Sequence, residues 1–241
     1  MKYHVYKNTE EAGEAAAIIF SNQVLKKKNS VLGLATGSTP IPTYQHIVRM
    51  YHAGLVDYSQ VTTYNLDEYC GLAHDTEQSY CYFMMDNLFR HINVPAHRIH
   101  VPNGMAPDIQ RECDAYEASI RANGGIDLQL LGIGINGHIG FNEPCDAYIY
   151  ATHQVALTQS TIEANKRFFP SADDVPRYAI TMGIGTIMHA RSVVLMATGK
   201  SKAKPIRDVL LKDPSPRCPA SILRFHPNAT LLLDEDAASL L

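Results

Sequence analysis

Residues Asp127 to Pro144 read DLQLLGIGINGHIGFNEP. The first part, through Leu128, Leu130 and Leu131, is an apolar run of the kind that ends a buried strand. The second part, Gly132 to Pro144, spaces four glycines among an imidazole (His138), a carboxylate (Glu143) and two carboxamides (Asn136, Asn142). A buried strand that runs straight into a polar, glycine-rich loop is the pattern of an α/β protein. In such proteins the loops beyond the carboxyl ends of the strands hold ligands. An imidazole exchanges protons near neutral pH, and Glu143 is near enough in the chain to orient it. A carboxamide hydrogen-bonds without carrying charge. Glycine lets the backbone bend close to a substrate.

Working outward, short apolar runs alternate with helical patterns. Residues 31–35, 61–66, 99–101, 127–132, 192–198 and 229–233 read as strands. Thr9 to Lys28 carries an apolar stripe through Ala16, Ile19, Phe20 and Val24, with Thr9 placed as N-cap and Glu10 and Glu11 in the first turn. Asp108 to Asn123 places Ile109, Cys113, Tyr116 and Ile120 on one face, then stops at Gly124-Gly125. Residues 40–53, 79–88, 158–169 and 201–211 are the other helix candidates. This alternation predicts βαβ units around a mainly parallel sheet. No repeat, low-complexity segment or linker marks a boundary, so the expectation is one α/β domain over residues 1–241.

The chain has 241 residues, 46% hydrophobic and 19% charged, with a formal net charge of −3. That balance gives no general attraction to nucleic acid, so anionic substrates need local clusters. Five dispersed cysteines without a C-x-x-C pair argue against a disulfide framework or structural zinc and for a reducing compartment. Cys145 follows the Gly132–Pro144 loop, but nothing around it marks an activated thiol, and a small packing side chain is the favoured reading. The N-terminus has acidic residues where a signal peptide needs a basic start, and the apolar run Ala15 to Phe20 is too short to span a bilayer. A cytoplasmic protein without membrane attachment is expected.

Two more strand-end loops stand out. Ala35-Thr36-Gly37-Ser38-Thr39-Pro40 joins the strand VLGLA to a helix, with Gly37 for a tight turn and Pro40 suited to the first helical position. Helix-start amides and the hydroxyls of Thr36, Ser38 and Thr39 can cradle a phosphate. Ordinary Ser/Thr capping is the competing reading, and the spacing is not that of a P-loop. The loop after VTTYNL holds Asp67-Glu68-Tyr69. A carboxylate just past a buried strand is partly desolvated, which raises its basicity. Alternation points Asp67 inward and Glu68 the other way. The Gly132-x-Gly134-x-x-Gly137 spacing fits a dinucleotide fingerprint, yet no acidic strand end about twenty residues on completes it. Arg167 and Lys202, near element ends, could supply the fork and the point charge that a bound phosphate attracts.

Together, ATGSTP, YNLDEY, GINGHIGFNEP, ANKRFF, the G-x-x-K-A of Gly199 to Ala203 and ILRFHPNATLLLDE resemble the glucosamine-6-phosphate deaminase family nearly end to end and in order. The resemblance implies a modified Rossmann-like fold and isomerisation of glucosamine 6-phosphate to fructose 6-phosphate with loss of ammonium, a step of amino-sugar catabolism needing no metal or organic cofactor. It implies that His138, oriented by Glu143 and assisted by Asn136, moves the proton in ring opening. Asp67 would carry the proton from C2 to C1. Thr36, Gly37, Ser38, Thr39, Arg167 and Lys202 would hold the 6-phosphate, with Arg167 in a mobile lid at about residues 153–181.

Long, allosteric members carry Asp where this chain has Asn136, and basic residues where it has His153-Gln154-Val155. The sequence also stops at Leu241, short of their C-terminal extension. The expectation is the short subtype, unresponsive to N-acetylglucosamine 6-phosphate, with the choice between monomer and homo-oligomer left open. Two alternatives stay open at this point. Lactone hydrolysis on the same fold would leave Asp67 no carbanion to form. A sugar-phosphate sensor would need no catalytic groups.

Overall fold

The fully buried runs set the frame. In a computed structural model that describes residues 1–166, 169 and 171–241, the strands in chain order are β1 (Lys2–Tyr6), β2 (Val31–Leu34), β3 (Thr62–Asn65), β4 (Asp67–Tyr69), β5 (Ile99–His100), β6 (Leu128–Leu131), β7 (His153–Ala156), β8 (Tyr178–Thr181), β9 (Val193–Ala197) and β10 (Ala229–Asp234). Every residue of β2, β3, β6 and β9 is buried. Burial on both faces is what a parallel sheet covered by helices demands. The helices are α1 (Thr9–Lys26), α2 (Ile41–His52), α3 (Tyr80–Asn87), α4 (Ile109–Ala122), α5 (Gln159–Asn165), α6 (Ile184–Met188) and α7 (Ala203–Leu211).

Among the described residues the strands form a seven-stranded sheet, order β1-β10-β9-β6-β2-β3-β5, and a three-stranded sheet, order β4-β8-β7. The large sheet is parallel throughout, in accord with the α/β expectation. The small one is antiparallel, pairing Asp67 with Thr181 and Thr181 with His153. From β2 the chain builds outward through β3 to β5, then returns to the other side of β2 with β6 and continues outward to β9 and β10. The order therefore reverses between β2 and β6. A reversal of this kind opens a crevice at the carboxyl ends of the two strands. The loops after β9, β6, β2 and β3 stand side by side along that edge.

Several local expectations need correction. The N-cap of α1 is Asn8, whose Oδ1 accepts from Glu11 N at 2.9 Å, and Thr9 is the first helical residue. Pro40 takes the N-cap position of α2, with Pro42 in the first turn. Asp67-Glu68-Tyr69 is the strand β4, with all three residues buried, rather than an open loop. Strands β1, β4, β7 and β8 and helix α6 are additions to the sequence reading. β1 escapes it because it lies at a sheet edge and is largely exposed, so its polar residues break the apolar signal. The helix expected over 158–169 runs over Gln159–Asn165, and its expected end includes positions outside the described residues.

The main core fills the space around the large sheet. A second cluster, Tyr69, Phe141, Leu157, Ile162, Val175 and Ala179, packs the small sheet and α5 onto the Gly132–Pro144 loop. This second cluster seats the small sheet and α5 beside the strand edge.

Candidate active site

Asp67 is buried at the start of β4. It is 6% exposed, and burial followed by repulsion from Glu68 raises its carboxyl from the ordinary 3.8 to about 8. It faces the glycine loop. A Cβ added at Gly140 would stand 3.6 Å from Asp67 Oδ2 and 2.8 Å from Thr181 Oγ1. Gly140, at φ +57°, is thus the residue over which the β3 strand end and the β6 loop meet. Thr181 Oγ1 also accepts from Phe141 N at 3.0 Å, so the register partner of Asp67 holds the loop in place.

Glu68 points away from Asp67, as alternation predicts, but not into solvent. It is fully buried and accepts backbone N–H groups from Tyr69, Tyr80 and Cys81, each at 2.9 Å. Tyr80 and Cys81 open α3, so Glu68 is the anion at that helix N-terminus. Burial pushes its carboxyl up, and the three amides oppose the shift.

The Gly132–Pro144 loop is held by its own polar groups. Glu143 Oε2 accepts from Asn136 Nδ2 at 2.6 Å, and Asn136 Oδ1 accepts from His138 N at 3.2 Å. Glu143 Oε1 stands 3.3 Å from His138 Nδ1, but the pair is not aligned as a hydrogen bond, and Nδ1 is buried without a partner. Burial pushes the Glu143 carboxyl up, but His138, Thr161 and Asn136 outweigh it and hold the group at about 2. It is therefore an anion at any working pH. Asn142 clamps the turn, its Nδ2 donating to Ile139 O at 2.9 Å and Met182 O at 2.8 Å. Its role is structural.

The structure places the phosphate candidates on the neighbouring strand ends. Gly37 has φ +100°, and no side chain caps α2, so the capping reading of Thr36, Ser38 and Thr39 does not hold. Tyr44 of α2 donates its buried hydroxyl to Ala35 O, which braces the start of this turn. Lys202 lies in the short helical turn Lys200–Lys202 after β9, and its Nζ donates to Ile133 O at 2.6 Å. That contact brings the ammonium to the β6 loop. Arg167 lies outside the described residues.

Two residues absent from the sequence reading join this cluster. Thr161 donates its hydroxyl to Glu143 Oε1, and Thr158 lies 3.4 Å from the same oxygen. Thr158 was legible only as a helix start. Among the described residues no group of three or more His, Cys, Asp and Glu side chains could hold a metal ion, and no helix is long and apolar enough to cross a membrane.

The model of the family described as glucosamine-6-phosphate isomerases/6-phosphogluconolactonase matches residues 8–232. The chain belongs to that family. Within it, relatives named glucosamine-6-phosphate deaminase include one from Thermoanaerobacter pseudethanolicus, 52% identical over all of this chain and 95% of its own length. Another, from Alkaliphilus oremlandii, is 52% identical with both chains fully covered. A solved structure described as a monomeric glucosamine-6-phosphate deaminase superposes with a TM-score of 0.98 at 44% identity, covering both chains completely. A 6-phosphogluconolactonase from Trypanosoma brucei reaches 0.78 at 20% identity, covering all of this chain and 98% of its own, a likeness of fold alone.

Proposed function

We propose that this chain converts glucosamine 6-phosphate to fructose 6-phosphate and ammonium. The observation that carries the reading is the separation of two acid–base centres. Asp67, neutral or anionic near pH 8, follows the end of β3, and the His138–Glu143–Asn136 group follows the end of β6, with β2 between them. Ring opening and carbon-to-carbon proton transfer are different proton movements and call for separate groups. The deaminase relatives, alike over the full chain, support the same substrate.

In the proposed mechanism the sugar lies across the β2–β6 crevice, its 6-phosphate on the amides and hydroxyls of Thr36, Gly37, Ser38 and Thr39. Lys202 and Arg167 complete the phosphate site, and no metal or organic cofactor takes part. His138 moves the ring-opening proton between O5 and the C1 hydroxyl, with the Glu143 anion stabilising the imidazolium. Asp67 then takes the proton from C2 and returns it to C1, leaving an imine at C2. Water adds to that carbon and ammonium leaves. A carboxylate raised to about 8 is a stronger base than an ordinary one, and its burial keeps bulk water from the transferred proton.

The sensor alternative finds no support in a buried, basic Asp67 set opposite a proton-exchanging pair. Lactone hydrolysis would leave that basic carboxylate unused. Segment 153–181 is the proposed lid, and its two ends are strands of the small sheet that contains Asp67. The deciding experiment incubates the protein with glucosamine 6-phosphate and measures ammonium and fructose 6-phosphate. Equimolar release of both is expected, and release of neither refutes the reading. Hydrolysis of 6-phosphogluconolactone instead would install the alternative.

A further inference from the structure

Helix α5 touches Glu143 and, two residues beyond Asp67, Tyr69 from one face. Thr161 and Asn165 are four residues apart and so lie on the same side of the helix. Thr161 donates to Glu143 Oε1, and Asn165 Nδ2 donates to the Tyr69 hydroxyl at 2.9 Å, two residues beyond Asp67. Ile162 and Leu157 pack beside these contacts against Phe141 and Tyr69.

The Thr161 bond belongs to a short chain of hydroxyls. Thr161 Oγ1 has one proton, which goes to Glu143, so it accepts from Thr158 Oγ1 at 3.0 Å. Thr158 Oγ1 in turn accepts from Thr161 N at 3.3 Å, the N-cap bond of α5. Thr161 is 6% exposed, so this bond works at low dielectric and is charge-assisted. The carboxylate of Glu143 is thus oriented by Asn136 at one oxygen and Thr161 at the other. His138 Nδ1, 3.3 Å from Oε1, meets an oxygen already aimed at Thr161.

We propose that Thr161, backed by Thr158, is a positioning residue that sets how Glu143 engages His138, so that the docking of α5 governs the ring-opening pair. This rests on the roles proposed above for His138 and Glu143. With α5 docked, Thr161 shares Oε1 and tempers the pull of Glu143 on the imidazole. When α5 moves away, the oxygen turns fully to His138. The helix that covers the site thereby also tunes it.

The test uses the full chain as wild type, Thr161→Val and Thr161→Ser, with Thr161→Ala should valine prevent folding. The Glu143 side-chain carboxyl is followed by carbon-13 NMR against pH, its signal identified by its loss in Glu143→Gln. Loss of the hydroxyl should raise the Glu143 midpoint by about one to two pH units, and serine should restore it. In ammonium release, Thr161→Val should lower kcat about tenfold with KM within twofold. An unmoved midpoint overturns the proposal. So does a variant whose only defects are a lower thermal midpoint or a higher KM, because Thr161 would then merely pack the helix. Absence of ammonium release by the wild type would refute the proposed function instead, while the carboxyl titration would still read the Thr161–Glu143 link.

Discussion

Replacing Asp67 with Asn should make the protein more stable and nearly inactive, and the stability change should depend on pH in a stated direction. The folded carboxyl titrates at about 8, against 3.8 ordinarily. Between those values the folded protein holds a proton that the unfolded chain has released. Stability is therefore fully present below 3.8 and is lost as pH rises toward 8, at about 1.4 kcal/mol per pH unit. From pH 5 to pH 8 this amounts to about 2–4 kcal/mol once relaxation around the buried group is allowed for. Asn has the shape of the neutral acid and no such dependence. Asp67→Asn should gain that amount over wild type between pH 5 and pH 8, or about 2–4 °C in thermal midpoint for each kcal/mol. Paired melting curves at the two pH values check it, since other groups titrate alike in both proteins. Ammonium release should fall by about 10²–10⁴, the usual worth of a general base. A stability gap that stays constant between pH 5 and pH 8 refutes the raised carboxyl. Turnover within tenfold of wild type refutes Asp67 as the base.

The same carboxyl predicts that kcat/KM for glucosamine 6-phosphate falls as pH drops below about 8 and that this limb vanishes from the residual activity of Asp67→Asn, read from initial rates across pH. Arg167→Ala should raise KM at least tenfold, and an unchanged KM would move the phosphate site elsewhere. Glu68→Gln should cost about 1–3 kcal/mol, because three buried amides converge on its oxygens; a denaturation midpoint equal to wild type would dismiss the anchoring of α3. N-acetylglucosamine 6-phosphate should leave the rate curve hyperbolic with KM unchanged. Where allosteric members carry basic side chains, burial lowers the pKa of His153, whose Nδ1 hydrogen-bonds Ala151 O at 2.9 Å. A fall in KM on adding that sugar would contradict this.

What the sequence disclosed follows from where signals are local. Strands β2, β3, β6 and β9 are buried from end to end, so apolar runs found them to within two residues. The Asn136–His138–Glu143 group lies within one loop, and glycine spacing together with residue type was enough to bring it forward. Asp67 was legible from its place after a buried run. The role of Glu68 was not, because its partners Tyr80 and Cys81 are twelve and thirteen residues on and meet it only when α3 docks. Thr161 reaches Glu143 across eighteen residues, and nothing in its neighbourhood sets it apart from any threonine in a first helical turn. The small sheet hid for a related reason: β4 is three residues long, and β7 alternates between intermediate and exposed positions.

The two consecutive carboxylates of β4 divide their labour across the strand, and this offers a handle for changing the enzyme's working pH. Glu68 is the second cause, after burial, of the raised Asp67 carboxyl, and its own charge is held by the amides that open α3. The surface of α3 is therefore a remote dial on the base. Substitutions there that strengthen or loosen the grip on Glu68 would shift the optimum of the reaction while leaving every group around the sugar untouched.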